Sequence, residues 1–369
     1  LFRRDFRHRG AEVTAVPGRR VSVAAALLAA LSAAAAEEHQ GRIALFADQA
    51  FRRGFALSYP SSAMGRRVEK VLETESGGAP AWRLCQWATR LSLADAPLRR
   101  LPGNELSWEN ETKRVVLGNG AAEKPDLILE VRGGAEYQGR VRRAGEPWPH
   151  LLVEQDALAV VPLDRPASLE LEVELKLSRF EDRMAGRADA SLHAAQFQLF
   201  FVVKETAPGA DGDFFWFGVP FFDSRGEYPA AYRAKDGGKD DATGKFIYTI
   251  DGREALPAPP RLGQWVKVRK DLLPSIAAGL ACAVERGFLA NGELARYAVV
   301  NMNMGWELPG AYDAAVEVRG LSVAAVLRPG ADCPRGARAP DAARPAVTSG
   351  AGGPRSRRGA RTSSPRACT

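Results

Sequence analysis

Ser191-Leu-His-Ala-Ala-Gln-Phe-Gln-Leu-Phe-Phe-Val-Val203 decides the reading of this chain. A β-strand sends alternate side chains to opposite faces. His193, Ala195, Phe197, Leu199, Phe201 and Val203 then share a face suited to a core. Ala194, Gln196 and Gln198 share the other face, before the stretch turns apolar again. Two neutral amides on one side of an otherwise apolar strand predict a sheet face that hydrogen-bonds something polar. The same alternation separates His193 from Gln196.

Strand patterns continue on both sides. Ser168-Leu-Glu-Leu-Glu-Val-Glu-Leu-Lys-Leu177 alternates most cleanly: its leucines and Val173 point inward, while Glu170, Glu172, Glu174 and Lys176 face water. Further strands are expected at 126–131, 135–143, 151–155, 214–222, 245–250, 265–269, 298–308 and 311–323, separated by Gly, Pro and Asp clusters. One helix is expected from Asp271 to about Arg286, with Leu273, Ile276, Leu280 and Val284 at helical spacing, Pro274 in its first turn and Gly287 at its end. Phe46, Phe51, Phe55 and Tyr59 are expected to pack beneath the sheets. Many short strands and a single good helix predict an all-β, antiparallel sandwich of jelly-roll type, since a parallel α/β sheet needs helical crossovers.

The two ends read differently. Gly18-Arg19-Arg20, the apolar run 21–36 and the small residues before Glu37 form the pattern of a secretory signal, so residues 1–36 are expected to be leader and the protein secreted or periplasmic. Residues 1–17 precede the n-region without an initiator Met, consistent with over-extended translation. Residues 329–369 are Arg, Ala, Pro, Gly and Ser with almost no large apolar side chain, a composition expected to stay disordered. That leaves 37–328 as the sandwich domain, with no membrane span after signal removal. Six arginines against Asp5 and Glu12 at the front, and eight against Asp332 and Asp341 at the back, exceed the net charge of +7, so the domain between is mildly acidic. The basic balance is therefore no argument for a nucleic-acid partner, and no nucleic-acid motif is present. Of the four cysteines, Cys333 and Cys368 sit in the tail. Cys85 and Cys282 can pair in an oxidising compartment or stay as buried thiols. There is no CxxC and no Cys/His cluster, hence no zinc site and no expected cofactor. Asp211 and Asp213 are the one place where loop carboxylates suggest calcium.

Two stretches carry a family resemblance. Gly263-Gln-Trp-Val-Lys-Val-Arg-Lys-Asp-Leu272 resembles a G-x-W-x-x-V-x-x-D-L strand of jelly-roll carbohydrate-binding modules. Gly310-Ala-Tyr-Asp-Ala-Ala-Val-Glu-Val-Arg-Gly-Leu-Ser-Val323 resembles their closing strand. The central strands are similar to those of concanavalin A-like sandwiches, which include lectins, glucanases and alginate lyases. The resemblance implies jelly-roll architecture and a polysaccharide or oligosaccharide partner. The glucanase Glu-x-Asp-x-x-Glu strand is absent. The lyase Gln-Ile/Val-His strand is also missing, and Lys245-Phe-Ile-Tyr248 only echoes its Tyr-x-Lys partner.

Candidate ligand residues follow from alternation and chemistry. Asn301, Asn303, Gly305 and Glu307 share a face in Asn301-Met-Asn-Met-Gly-Trp-Glu307, and amides beside carboxylates suit vicinal sugar hydroxyls. Gly305 offers a place for close ligand approach. Arg140 and Arg142 are a guanidinium pair for carboxylate or sulfate. Trp148, bracketed by prolines, and Trp216, beside Gly218, are platforms for a sugar ring. Lys245 is a further polar contact. For catalysis, His193 or Tyr248 can serve as a lyase base, with Gln196, Asn301 or Arg140 stabilising the intermediate. Glu154 and Glu307 can serve as the carboxyl pair of a hydrolase. Three readings stay open: a glycan-binding protein using Gln196, Gln198, Asn301, Asn303 and Glu307; a lyase or hydrolase on the same scaffold; and a non-catalytic surface protein whose amides satisfy buried backbone.

Overall fold

The computed structural model describes residues 41–330, apart from 62, 63, 65, 211 and 238–241. The expected leader at 1–36 and almost all of the expected tail lie outside the described residues. Numbered in chain order, the strands among the described residues form two sheets. One runs β13 (Tyr232–Lys235), β14 (Phe246–Thr249), β12 (Phe214–Asp223), β11 (Gln196–Glu205), β16 (Tyr297–Glu307), β9 (His150–Asp156), β4 (Trp82–Cys85), β2 (Phe55–Ser58), β3 (Val68–Leu72). The other runs β15 (Trp265–Asp271), β10 (Pro166–Asp182), β17 (Tyr312–Leu327), β8 (Leu127–Arg132), β7 (Lys113–Leu117), β6 (Leu106–Glu109), β5 (Leu98–Arg100), with β1 (Arg42–Ala44) also on β17. Pairing is antiparallel except for β12 with β14 and β2 with β4. The fold is a jelly-roll β-sandwich.

The core lies between the sheets. Phe197, Leu199, Phe201 and Val203 of β11 are fully buried, and Leu169, Leu171 and Val173 of β10 meet the same cluster from the other sheet. Trp306 spans the gap: its ring packs edge-on to Phe197 at 5.2 Å, and its Nε1 donates to the Leu129 carbonyl of β8 at 2.9 Å. Burying that indole satisfies its one donor, so the apolar gain is not offset by a lost hydrogen bond. Phe46, Phe51 and Phe55 are buried as expected, with Trp82 at the centre of their aromatic group, while Tyr59 is only half-buried. The expected helix forms as α3 (Leu273–Glu285), after a single turn α2 (Gly252–Ala255).

The stretch 135–143 departs from expectation. It holds a short helix α1 (Gly133–Glu136) followed by turns, not a strand. Gln138 and Gly139 adopt φ of 54° and 73°, which an extended strand cannot accommodate. Gly133 is forced by a close approach: a Cβ there would lie 2.4 Å from the Tyr312 carbonyl oxygen. Tyr137 then buries its ring and donates its hydroxyl to the Leu308 carbonyl. Cys85 and Cys282 are both free thiols.

Candidate functional site

The outer face of the nine-stranded sheet carries a groove of about 620 Å³. Ladder register sets its floor in rows across the strands. One row reads Asp223, Gln196, Glu307, His150; the next Pro220, Gln198, Gly305, Leu152; a third Thr249, Gly218, Phe200, Asn303, Glu154. Alternation therefore delivers Gln196 and Gln198 to the groove and sinks Phe197 and Leu199 in the core. Their amides bond to carboxylates, not to backbone: Gln196 Nε2 donates to Asp223 at 2.9 Å and Gln198 Nε2 to Glu307 at 3.3 Å.

Glu307 sits among donors from three segments. Besides Gln198, Trp148 Nε1 donates to its Oε2 at 3.2 Å, and His150 Nε2 lies 3.5 Å from the same oxygen. His150 is buried between two indoles: Trp148 stacks on it at 6.1 Å and 23°, and Trp87 packs edge-on at 6.1 Å. At the other side, Trp216 donates to Thr243 Oγ1 at 3.1 Å and meets Phe200 edge-on. Gly218 is needed there, because a Cβ would fall 2.6 Å from the Phe200 ring. Indole and phenyl faces bordered by amides and carboxylates suit the apolar faces and equatorial hydroxyls of sugar rings.

Several expected residues have other employment. Glu154 lines the groove but is buried, and its carboxylate accepts from Arg83, Arg66, Asn301 and the Cys85 thiol. Its oxygens are saturated. Burial, then the Glu154 charge, push the Cys85 thiol well up from its ordinary value. The ladder also sets Glu154 four residues along β9 from His150, the partner of Glu307, so the two Cα atoms lie roughly 14 Å apart. With its oxygens held by two arginines, an amide and a thiol, Glu154 is poorly placed to act with Glu307 as a hydrolytic pair. Asn301 is buried, spending its amide on Glu154 and Asp156. Burial opposes ionisation of Asp156, yet Asn301 with Arg83 and Arg66 holds it below the usual carboxylate range. Gly305 leaves no room for a ligand: a Cβ would lie 2.4 Å from Leu152 Cα, so the glycine serves strand packing.

Neither arginine of the expected pair lines the groove. Arg142 is buried, donates to the Glu146 and Leu192 carbonyls, and lies 5.0 Å over the Trp148 ring, so it supports the platform from behind. Arg140 pairs with Glu146, whose pKa that bond lowers. Both depart from the strand expectation because 135–143 is not a strand. Lys245 pairs with Asp213, away from the groove, which also spends the one described carboxylate of the calcium suggestion; Asp211 lies outside the described residues. No group of three or more His, Cys, Asp or Glu suited to a metal occurs among the described residues. His193 is buried off the strand end, its Nδ1 accepting from Asp189 N–H at 2.9 Å and its Nε2 donating to the Arg142 carbonyl at 2.9 Å. Tyr248 faces away from the groove, stacked on Phe217 beside Gly279 of α3. Both are structural, and neither can serve as a base in the groove.

Of the expected ligand residues, the groove brings together Gln196, Gln198, Asn303, Glu307, Trp148 and Trp216. It adds Trp87, Phe200, Asp223, Arg225, Tyr232 and His150, which sequence reasoning passed over. Phe200 carried a usable signal, being in phase with Gln196 and Gln198. Trp87 lies in a loop whose place only the ladder reveals. Arg225 donates from Nε and Nη2 to Asp223 at 2.9 and 2.6 Å. Among the described residues no helix is long and apolar enough to cross a membrane.

Fold and site define a jelly-roll β-sandwich with an open, aromatic-lined polar groove on its larger sheet. No protein-family model and no curated protein matches the sequence. Among solved structures, the chain is similar to endoglucanase Cel12A from Rhodothermus marinus, with TM-score 0.34 and 10% identity over 62% of this chain and 95% of that one. A family 11 xylanase from Neocallimastix patriciarum gives 0.28 and 9% over 62% and 94%. The xyloglucanase domain of NopAA, a type three effector from Sinorhizobium fredii solved with cellobiose, gives 0.29 and 7% over 63% and 99%.

Proposed function

We propose that this chain is an exported glycan-binding protein whose groove takes a segment of uncharged polysaccharide. Export is supported by the leader pattern at 1–36. The observation that carries the ligand class is the row Asp223, Gln196, Glu307, His150 ending against Trp148: donors and acceptors beside a ring platform. Charge supports an uncharged partner. The arginines of the lining, Arg66 and Arg225, are committed to Glu154 and Asp223, while Asp236 adds a further carboxylate among the described lining residues. A uronate or sulfate chain would meet like charge there, and like-charge contact is an effective means of rejection. Calorimetric titration with neutral oligosaccharides and oligouronates tests this. Binding of a neutral series, weakened in Trp148→Ala, is expected; uronates that bind more tightly than every neutral glycan overturn it.

A second reading is favoured by one observation. Asp223 and Glu307 flank Gln196, two strands apart, placing their Cα atoms about 10 Å from each other. Two carboxyl groups converging from such positions fall near the separation that supports glycoside hydrolysis. New reducing ends released by the wild-type protein and lost in both Glu307→Gln and Asp223→Asn support a hydrolase. Prolonged incubation with bound glycan that yields none leaves the groove as a binding site alone.

A further inference from the structure

We infer that Lys113, on the opposite sheet from the groove, is a positioning residue that latches the Trp87 wall in place. Lys113 is fully buried on β7. Its ammonium donates to Thr89 Oγ1 at 3.0 Å, to Thr112 Oγ1 at 2.8 Å and to the Leu91 carbonyl. Two of those three acceptors belong to the loop that follows β4 and carries Trp87. An ammonium has three donors, so this geometry uses all of them.

The loop needs holding. Ala88, between Trp87 and Thr89, has φ of 53°, a left-handed conformation that costs an L-residue energy and persists only where neighbours impose it. The opposite side of the loop is tied independently. Gln86 donates to the Ser58 carbonyl and Ser92, and accepts from Leu93 N–H. Trp87 itself receives His150 N–H on its carbonyl at 2.9 Å, so a shift of the loop reaches the Trp87–His150 contact beside Glu307. This step rests on the groove reading only where affinity is concerned; the latch does not.

The charged groups around Lys113 are Glu136 of α1 at 3.4 Å, Arg90 in the loop, Glu69 on β3, and Glu111, which pairs with Arg90. Burial lowers the Lys113 pKa to about 8, partly countered by Glu136. Above that pH the amine loses its charge and keeps two donors for three acceptors, two of them in the loop, so its hold on the loop weakens.

The test uses the full chain labelled with 5-fluorotryptophan, the Trp87 resonance being assigned by its absence in Trp87→Phe. In wild type that resonance is expected to move between pH 6.5 and 9.5 with a midpoint near 8. In Lys113→Met the movement is expected to vanish. Neutral-glycan affinity in wild type is expected to fall roughly fivefold over the same range, the effect of one lost hydrogen bond. A Trp87 resonance that stays still in wild type overturns the latch, whether or not Lys113→Met folds. Movement that survives in a folded Lys113→Met overturns it too. A moving resonance with no glycan bound at any pH keeps the latch and removes the groove reading instead.

Discussion

On β10, Glu170, Glu172, Glu174 and Lys176 point away from the core, as Gln196, Gln198 and Phe200 do on β11. Both sets arise from period-two alternation over a common core. Their chemistry diverges. The β10 charges are paired across the ladder and with neighbouring segments: Glu170 with Arg42, Glu172 with Arg269, Glu174 with Arg319 and Lys267, Lys176 with Glu317. Arg319 further covers Trp265 at 4.1 Å. That face is self-satisfied and meets water. The β11 face instead brings aromatic rings and polar groups together around a groove. Polarity alone does not mark a site; polarity beside aromatic rings gathered around a groove does.

The sharpest division lies within β11 itself. Phe197→Ala removes a fully buried ring that packs on Trp306 and Phe221. Chemical denaturation is expected to show a loss of about 3–5 kcal/mol. Its neighbour Gln198→Ala should cost under about 1 kcal/mol of stability while weakening neutral-glycan binding about fivefold. Equal stability losses at both positions would break the distinction between the two faces of the strand.

Lys113 belongs to neither face, and pH separates it from both. Its folded pKa lies below its unfolded value, so between about pH 8 and 10.5 the unfolded chain binds more protons than the folded one. Stability then rises with pH across that window, by an amount on the order of 2–3 kcal/mol, while the penalty is fully present below pH 8. Denaturation midpoints taken at pH 7 and 10 should show this rise in wild type relative to Lys113→Met. A parallel pH response in the variant would assign the rise to other groups.

Trp148→Ala tests the groove directly. The indole donates to Glu307, stacks on His150 and is backed by Arg142. Affinity for a neutral oligosaccharide is expected to drop roughly ten- to a hundredfold, the range of a central aromatic anchor. An unchanged affinity would move the binding surface off this row.

The alternation at 168–177 and 193–203 made the sandwich legible, because a period of two is written in consecutive residues. The strand begins at Gln196, later than the alternation suggested, so His193 stands apart from Gln196 because it lies in the turn before the strand and not because it faces the other way. What failed had non-local causes. Arg140 and Arg142 read as strand neighbours because the left-handed turn at Gln138-Gly139 leaves only a glycine as its signal. Asn301 and Glu154 are in phase for a ligand, but ladder partners from β4 and β9 claim their polar atoms. Asp223 escaped notice because its partner Gln196 comes from another strand, and only register joins them.

The smallest effect belongs to the other sheet. Glu172→Gln breaks the ion pair with Arg269, whose guanidinium side is two-thirds exposed. Water and salt already screen such a pair, so thermal denaturation should register a change within about 0.5 kcal/mol, and glycan affinity should not move. A tenfold loss of affinity would mean that charge on the β10 face reaches the groove through the core, and the two outer faces would no longer be independent surfaces.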